Sequence, residues 1–208
     1  MTADLSLRER KPGLRERKKA ATREALGRAA MLLAIEHGVE GVTVEAIAAA
    51  AGVSPRTFHN YFPGKEEAIV APLTDGAEAV IEALRDRPPD ESVWDSLREV
   101  FVGVMMPPES RDEIAALVLV VKANPALLGQ QLCGIGEMQR EIAEIVAART
   151  GTDAGRDLYP HLLAGAAGTA MRAAIELWAD GTTGTGLPDL VDQAIAQLRA
   201  GLPPPRGA

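Results

Sequence analysis

The sequence predicts an all-α protein of about nine helices, and three observations carry that reading. Apolar residues recur at the three-and-four spacing of a helix along most of the chain. No stretch alternates with period two for long enough to make a strand. The periodic stretches are separated by helix stops: Gly38, Pro63-Gly64, Pro88-Pro89, Pro107-Pro108, Asn124-Pro125 and Gly151. With 208 residues, 47% of them hydrophobic, the chain is long enough for a substantial core.

The elements follow in order. Residues 1–13 are polar, carry LRERK once there and again at 14–18, and are expected to form a mobile basic arm. Helix 1 is predicted from Arg15 to His37, with Leu26, Ala29, Ala30, Leu33 and His37 on its inner face. Lys18, Lys19 and Arg23 near its start oppose the helix dipole, so phosphate is a partner that would favour them. Helices 2 and 3 lie within Thr43–Lys65. Helix 4 is expected to run from Lys65 toward Arg87, kinked or softened by Pro72 and Gly76. Helix 5 covers Glu91–Met105. Helix 6 covers Glu109–Ala123, and its Leu117–Val121 run, LVLVV, predicts burial on every side. Helix 7 runs from Asn124-Pro125 to Thr150, helix 8 from Ala154 to Ala179, and helix 9 from Pro188 to Ala200. The tail GLPPPRGA, with 202–208 beyond the last domain, is expected to be disordered.

The segment TVEAIAAAAGVSPRTFHNYFPGK, 43–65, organises the rest. Thr43 is an N-cap, and Val44, Ile47, Ala48 and Ala51 form one buried face. Gly52 suits a left-handed turn, and Val53 pins the two helices together. Ser54 and Pro55 open the second helix at N-cap and N1. Phe58 and Phe62 point inward, leaving Arg56, Thr57, His59 and Asn60 outward. A short helix with exposed donors and acceptors suits the major groove, whose base edges present a readable hydrogen-bond code. This is a helix-turn-helix.

The ordered run Ala48-x-x-Ala51-Gly52-Val53-Ser54, then Thr57-Phe58-x-x-Tyr61-Phe62-x-x-Lys65-Glu66, resembles the signature of the tetracycline-repressor (TetR) family. The match covers Leu14 to about Ala71. The resemblance implies a DNA-binding domain at 14–64 and an effector-binding and dimerisation domain at 65–201, linked by helix 4. It also implies a transcriptional regulator, a repressor released by a ligand, acting as a homodimer on a palindromic double-stranded DNA operator.

Base reading is assigned to Arg56, Thr57 and Asn60. An exposed Arg at the start of a recognition helix can fork onto guanine O6 and N7, and Asn pairs with adenine. The family often has a small residue where Arg56 stands, so this position marks individual specificity. Phosphate contacts are expected from Thr43, Ser54, His59, Tyr61 and Lys65. His59 replaces the Tyr that the family usually places on phosphate, while Lys65 adds its charge to a helix N-terminus.

Helix 8 contains a small-residue run, LLAGAAGTA, over 162–170. Small residues permit close helix approach, and the resemblance implies a four-helix dimer seam from the last two long helices. The expected interface residues are Leu162, Gly165, Gly168, Thr169 and Arg172; close packing inside one protomer is the alternative. Trp94, Phe101, Met105, Met138, Met171 and Trp178 are the candidate lining of an adaptable apolar pocket for a small lipophilic effector, although residues of this kind at helical spacing are more often plain core. Gln130, Gln131 and His161 are candidate polar anchors, or ordinary surface and core residues. The single Cys133 excludes an internal disulfide, and a buried, inert thiol is expected there.

Charge supports the division of labour. Net charge is −7, yet residues 1–65 carry +4 and residues 66–208 carry −11. A basic module beside an acidic body attracts DNA locally and repels it elsewhere. No apolar run is long enough to span a membrane and the N-terminus lacks an apolar signal core, so a cytoplasmic location is expected. The three His have no metal-ligand spacing, no phosphate-binding Gly loop follows a strand, and no cofactor is expected. Two other classes stay open at this point: an accessory or architectural DNA-binding protein without ligand control, and an all-α enzyme with an incidental turn motif.

Overall fold

Capping chemistry and proline placement build the chain into helices joined by short connections. The computed structural model describes residues 13–104 and 111–204, with no statement for the side chain of Val104. The helices are α1 (Leu14–His37), α2 (Val44–Ala50), α3 (Pro55–Phe58), α4 (Lys65–Thr74), α5 (Ala77–Arg85), α6 (Val93–Val104), α7 (Arg111–Lys122), α8 (Pro125–Thr150), α9 (Leu158–Ala179) and α10 (Leu187–Arg199). A single 3-10 turn, Val39–Gly41, joins α1 to α2. The described residues contain no strand. The expectations for the arm, for Met105 and for the end of the tail fall outside the described residues.

One predicted helix divides in two. The stretch expected to run from Lys65 toward Arg87 stops at Thr74 and resumes at Ala77. Pro72 has no N–H to return to Ala68, and Asp75 and Gly76 form a bend before α5 starts. Helix α8 closes on Gly151 in the left-handed conformation, as its sequence position suggests, and opens on Asn124, whose side-chain oxygen accepts from the Ala126 and Leu127 N–H groups.

Two apolar cores result. The N-terminal core gathers Leu26, Ala30, Ile47, Ala48, Phe58 and Phe62, and takes in Ala68–Ala71 of α4, Leu117 and Val121 of α7, and Leu127 of α8. The larger one fills the body between α5, α6, α8, α9 and α10. Helix α4 belongs to the first core yet also packs along α8, so it is the physical link between the two.

Two glycines set how closely α4 is gripped. A Cβ at Gly27 of α1 would sit 3.2 Å from the Cβ of Ala71, and one at Gly134 of α8 would sit 3.0 Å from Cγ2 of Thr74. A side chain at either position makes α4 or its side chains give by a few tenths of an ångström.

Three expectations are corrected. The LVLVV run is not buried all round: Leu117 and Val121 are buried, but Leu119 is 42% exposed, because a helix on the rim of the bundle has an outer face whatever its sequence. His37 is exposed at the end of α1 rather than on its inner face, because the chain turns away at Gly38. Cys133 is exposed on α8, not buried.

Candidate nucleic-acid interface and ligand cleft

The helix-turn-helix is fixed by its own polar side chains. Thr43 Oγ1 accepts from the Ala46 N–H at 3.2 Å, starting α2. Gly52 has φ of 69°, the left-handed conformation that the turn requires, and the Val53 N–H returns to the Ala48 carbonyl at 2.9 Å. Ser54 Oγ accepts from the Thr57 N–H at 3.1 Å and shares a hydrogen bond with the Thr57 hydroxyl at 2.9 Å. Helical hydrogen bonds continue past α3, from the Phe62 N–H to the Phe58 carbonyl, so the reading element extends to Phe62. Phe58 and Phe62 are fully buried beneath it.

This leaves Arg56, His59 and Asn60 exposed on one short element, with Thr57 half-buried and occupied in capping. Thr43 and Ser54 are likewise exposed but committed to caps. Tyr61 is half-buried against the N-terminal core. Lys65 has a structural task as well: its Nζ donates to the Val39 carbonyl at 3.0 Å and the Val42 carbonyl at 3.1 Å. It thereby ties the connection between α1 and α2 to the start of α4, with one N–H left over.

Arg23 is the residue whose importance the sequence conceals. The sequence suggests phosphate; the structure turns it inward. Its Nε and Nη2 grip both oxygens of Asp75, at 2.7 and 2.9 Å, just past the end of α4. Its Nη1 donates to the Tyr61 carbonyl at 2.7 Å, at the end of the reading element. Glu67 lies 3.4 Å away, and the guanidinium lies 4.1 Å from the centre of the Phe62 ring. The hydrogen bond to Asp75 outweighs partial burial and raises the Arg23 pKa above its ordinary value. One side chain thus joins α1, the helix-turn-helix and the α4–α5 bend. Only the placement of Arg23 three residues before Leu26 hinted at an inward-leaning position; its partners are 38 to 52 residues away.

Behind that contact opens a cleft of about 940 Å³. Its walls come from α1, the α4–α5 bend, α6, α7, α8 and α9, among them Met31, Ile114, Val118, Ile135 and Ile175. Such a volume suits a small organic ligand. Of the expected lining, Phe101, Met138 and Met171 are on the wall, together with Gln131. Trp94 and Trp178 are not: they pack as half-buried residues against the body core. Arg23 and Asp75 are also part of its lining.

The residues expected at the dimer seam separate onto two faces of α9. Leu162 and Thr169 are exposed, and a Cβ at Gly165 meets nothing, so these face outward. Gly168 and Arg172 line the cleft within the protomer, and a Cβ at Gly168 would lie 2.3 Å from Gln139 Nε2 of α8. Helical periodicity sets 162, 169, 165, 172 and 168 in that order round α9, so Gly168 lies furthest from Leu162 and Arg172 is an exposed residue between the outer face and the cleft. His161 is spent on the Ala154 carbonyl.

A reading helix braced by its own caps, joined through one bent helix to a hollow helical body, defines a one-component DNA-binding regulator. Comparison makes the class specific. Residues 26–71 match the family described as bacterial regulatory proteins, tetR family, and residues 91–203 match the MftR C-terminal domain of the TetR_C group. The chain is 37% identical over 161 residues to the HTH-type transcriptional regulator TcmR of Streptomyces glaucescens, covering 73% of this chain and 70% of that protein. The protein belongs to the TetR family of transcriptional regulators, which are DNA-binding proteins and not enzymes.

Solved structures agree in fold. FadR of Thermus thermophilus, a TetR-family repressor in complex with lauroyl-CoA, matches with a TM-score of 0.55 at 23% identity, covering 89% of this chain and 97% of that one. FadR of Bacillus halodurans, a fatty acid degradation regulator, matches at 0.58 and 19% identity, over 92% and 98%. The SmeT–triclosan complex matches at 0.53 and 19%, over 90% and 100%. No helix among the described residues is long and apolar enough to cross a membrane.

Proposed function

We propose that this regulator is a ligand-responsive repressor that binds a palindromic operator as a homodimer. Arg56 and Asn60 read bases, with Thr57 contributing from its half-buried position. Thr43, Ser54, His59, Tyr61 and the remaining N–H of Lys65 set the register on phosphate. The observation that carries the regulatory half is the shared wall: Arg23 and Asp75 both line the cleft, and Arg23, held by Asp75, also donates to the Tyr61 carbonyl at the end of the reading element. A molecule in the cleft therefore touches the contact that orients the helix-turn-helix. It releases DNA only as far as it favours the arrangement that does not fit the operator.

The dimer is supported by the outer face of α9. Leu158, Tyr159 and Leu162 lie side by side at 69%, 51% and 59% exposure, with Leu177 exposed further along. A run of large apolar side chains of this kind marks a protein contact. Two recognition helices brought together by two-fold symmetry read a palindrome far better than one.

The test begins with operator selection from random duplex DNA, followed by footprinting. A palindromic consensus with two protected major grooves on one side of the duplex is the expected result. The complex is then titrated with small lipophilic compounds while DNA anisotropy is followed. Specific binding that no ligand of the cleft reverses would leave an accessory DNA-binding protein as the better reading.

A further inference from the structure

Helix α8 meets α4 closely at a residue with no side chain. A Cβ on Gly134 would lie 3.0 Å from Cγ2 of Thr74 and 3.4 Å from its Cβ, in the last turn of α4. Rotating Thr74 does not clear that space fully, because its Cβ is fixed to the backbone and its hydroxyl already leans on the Val70 and Ala71 carbonyls at 3.4 Å. This turn is also the soft part of α4, since Pro72 leaves it without the hydrogen bond to Ala68. The residue after Thr74 is Asp75, whose carboxylate holds Arg23, and Arg23 in turn holds the Tyr61 carbonyl. On α8, Gln131, Ile135 and Met138 line the cleft on either side of Gly134.

A contact this tight fixes a position rather than adding attraction. When the last turn of α4 gives way to a neighbour, Asp75 moves with it, and the Arg23 hydrogen bonds carry the shift to the end of the reading element. We propose that Gly134 is a positioning residue for DNA binding: by carrying no side chain it lets α8 bear on Thr74 and hold the α4–α5 bend where Asp75 and Arg23 orient the helix-turn-helix. One methyl group at this point moves the molecule toward the arrangement that does not fit the operator. Nothing of the kind applies at Gly136 of the same helix, where a Cβ would meet nothing within 4 Å. The inference rests on α4 linking the body to the operator-binding half, as proposed above.

Full-length variants test this on the operator selected with the parent protein: Gly134→Ala, Gly136→Ala, Thr74→Ser, and Gly134→Ala combined with Thr74→Ser. Both Gly→Ala changes raise helix propensity alike, but only the one at 134 meets Thr74. Thr74→Ser removes the methyl carbon that it meets. With no ligand present, Gly134→Ala is expected to bind the operator about tenfold more weakly than the parent. Its affinity for unrelated duplex and its helical content by circular dichroism should match the parent's, an outcome that loss of structure does not allow. Gly136→Ala and Thr74→Ser should bind the operator as the parent does, and the double variant should recover most of the lost affinity. Parental operator affinity in Gly134→Ala, an equal loss in Gly136→Ala, no recovery in the double variant, or reduced helical content in Gly134→Ala would each overturn the proposal and leave the regulator reading in place. A parent protein that selects no operator would bring down that reading and this one together.

Discussion

Arg56 and Lys65 are cations nine positions apart, and their surroundings give them different work. Arg56 is exposed on the reading element, whereas Lys65 spends two of its N–H groups on the Val39 and Val42 carbonyls. Replacing Arg56 with Ala should cost about 1–3 kcal/mol at the cognate operator and relax one base position, while binding to unrelated duplex changes little. Quantitative binding to a set of single-base operator variants measures both. Lys65→Met should instead lower the stability of the DNA-free protein by about 1–2 kcal/mol, because two carbonyls lose a charged donor. A residue that met only phosphate would leave the melting temperature of the free protein unaltered, so thermal unfolding without DNA separates the roles. The motif around these residues was legible from sequence because caps, turn and buried aromatics all lie within some twenty consecutive positions. The second duty of Lys65 was not, since a lysine beside a helix N-terminus reads as a phosphate ligand until the neighbouring carbonyls are placed.

Between elements, the α4–α5 bend shows where sequence patterns stop being informative. Pro72 and Gly76 announce a weak point, but not that Asp75 between them is held by Arg23, 52 residues earlier. Nor do spacing rules reveal that Gly27 and Gly134 let α1 and α8 close on α4 from two sides, because each glycine sits singly in an ordinary helical run. Arg23→Ala should lower stability by about 1–2 kcal/mol, a figure held down by the partial exposure and solvent screening of the pair. It should also weaken operator binding although the Arg23 guanidinium is committed to Asp75 and the Tyr61 carbonyl. Operator affinity equal to that of the parent protein would show that the bend and the reading element are not coupled through this residue. A second tie between elements responds to pH. Arg87, and after it Ser96, hold the Glu91 carboxyl down to about 2, well below its ordinary value, at the entry to α6. Because the folded-state value is depressed, the stabilisation is complete above the unfolded value near about 4.3 and is lost as pH falls toward 2. The melting temperature of Glu91→Gln should therefore trail the parent by a constant gap above pH about 5, and the gap should narrow steadily on acidification. A gap independent of pH would assign Glu91 a packing role instead.

At the scale of the whole molecule, the proposed homodimer needs a seam, and α9 carries a run of exposed large apolar side chains. The sequence drew attention to this helix through its small residues, yet Gly168 turns out to make room for Gln139 of the same protomer. The outward face is set by the larger Leu158, Tyr159 and Leu162, with Gly165 open beside them. Leu162→Glu places a charge at the middle of that face without entering the protomer core, since Leu162 is 59% exposed. In the dimer two such carboxylates would be buried near each other across the two-fold axis, and burying like charges without partners is strongly unfavourable. The variant should be monomeric at concentrations where the parent is dimeric, with helical content unchanged, and should bind a single half-site no worse than the parent does. Its affinity for the full palindrome should fall by orders of magnitude, because the second half-site is no longer reached at the high effective concentration that a fixed partner provides. Sedimentation velocity and half-site titrations read these two effects separately. A Leu162→Glu protein that sediments as a dimer would move the seam to another face of the body, and a monomer that still binds the palindrome at parental affinity would show that dimerisation and operator recognition are not linked.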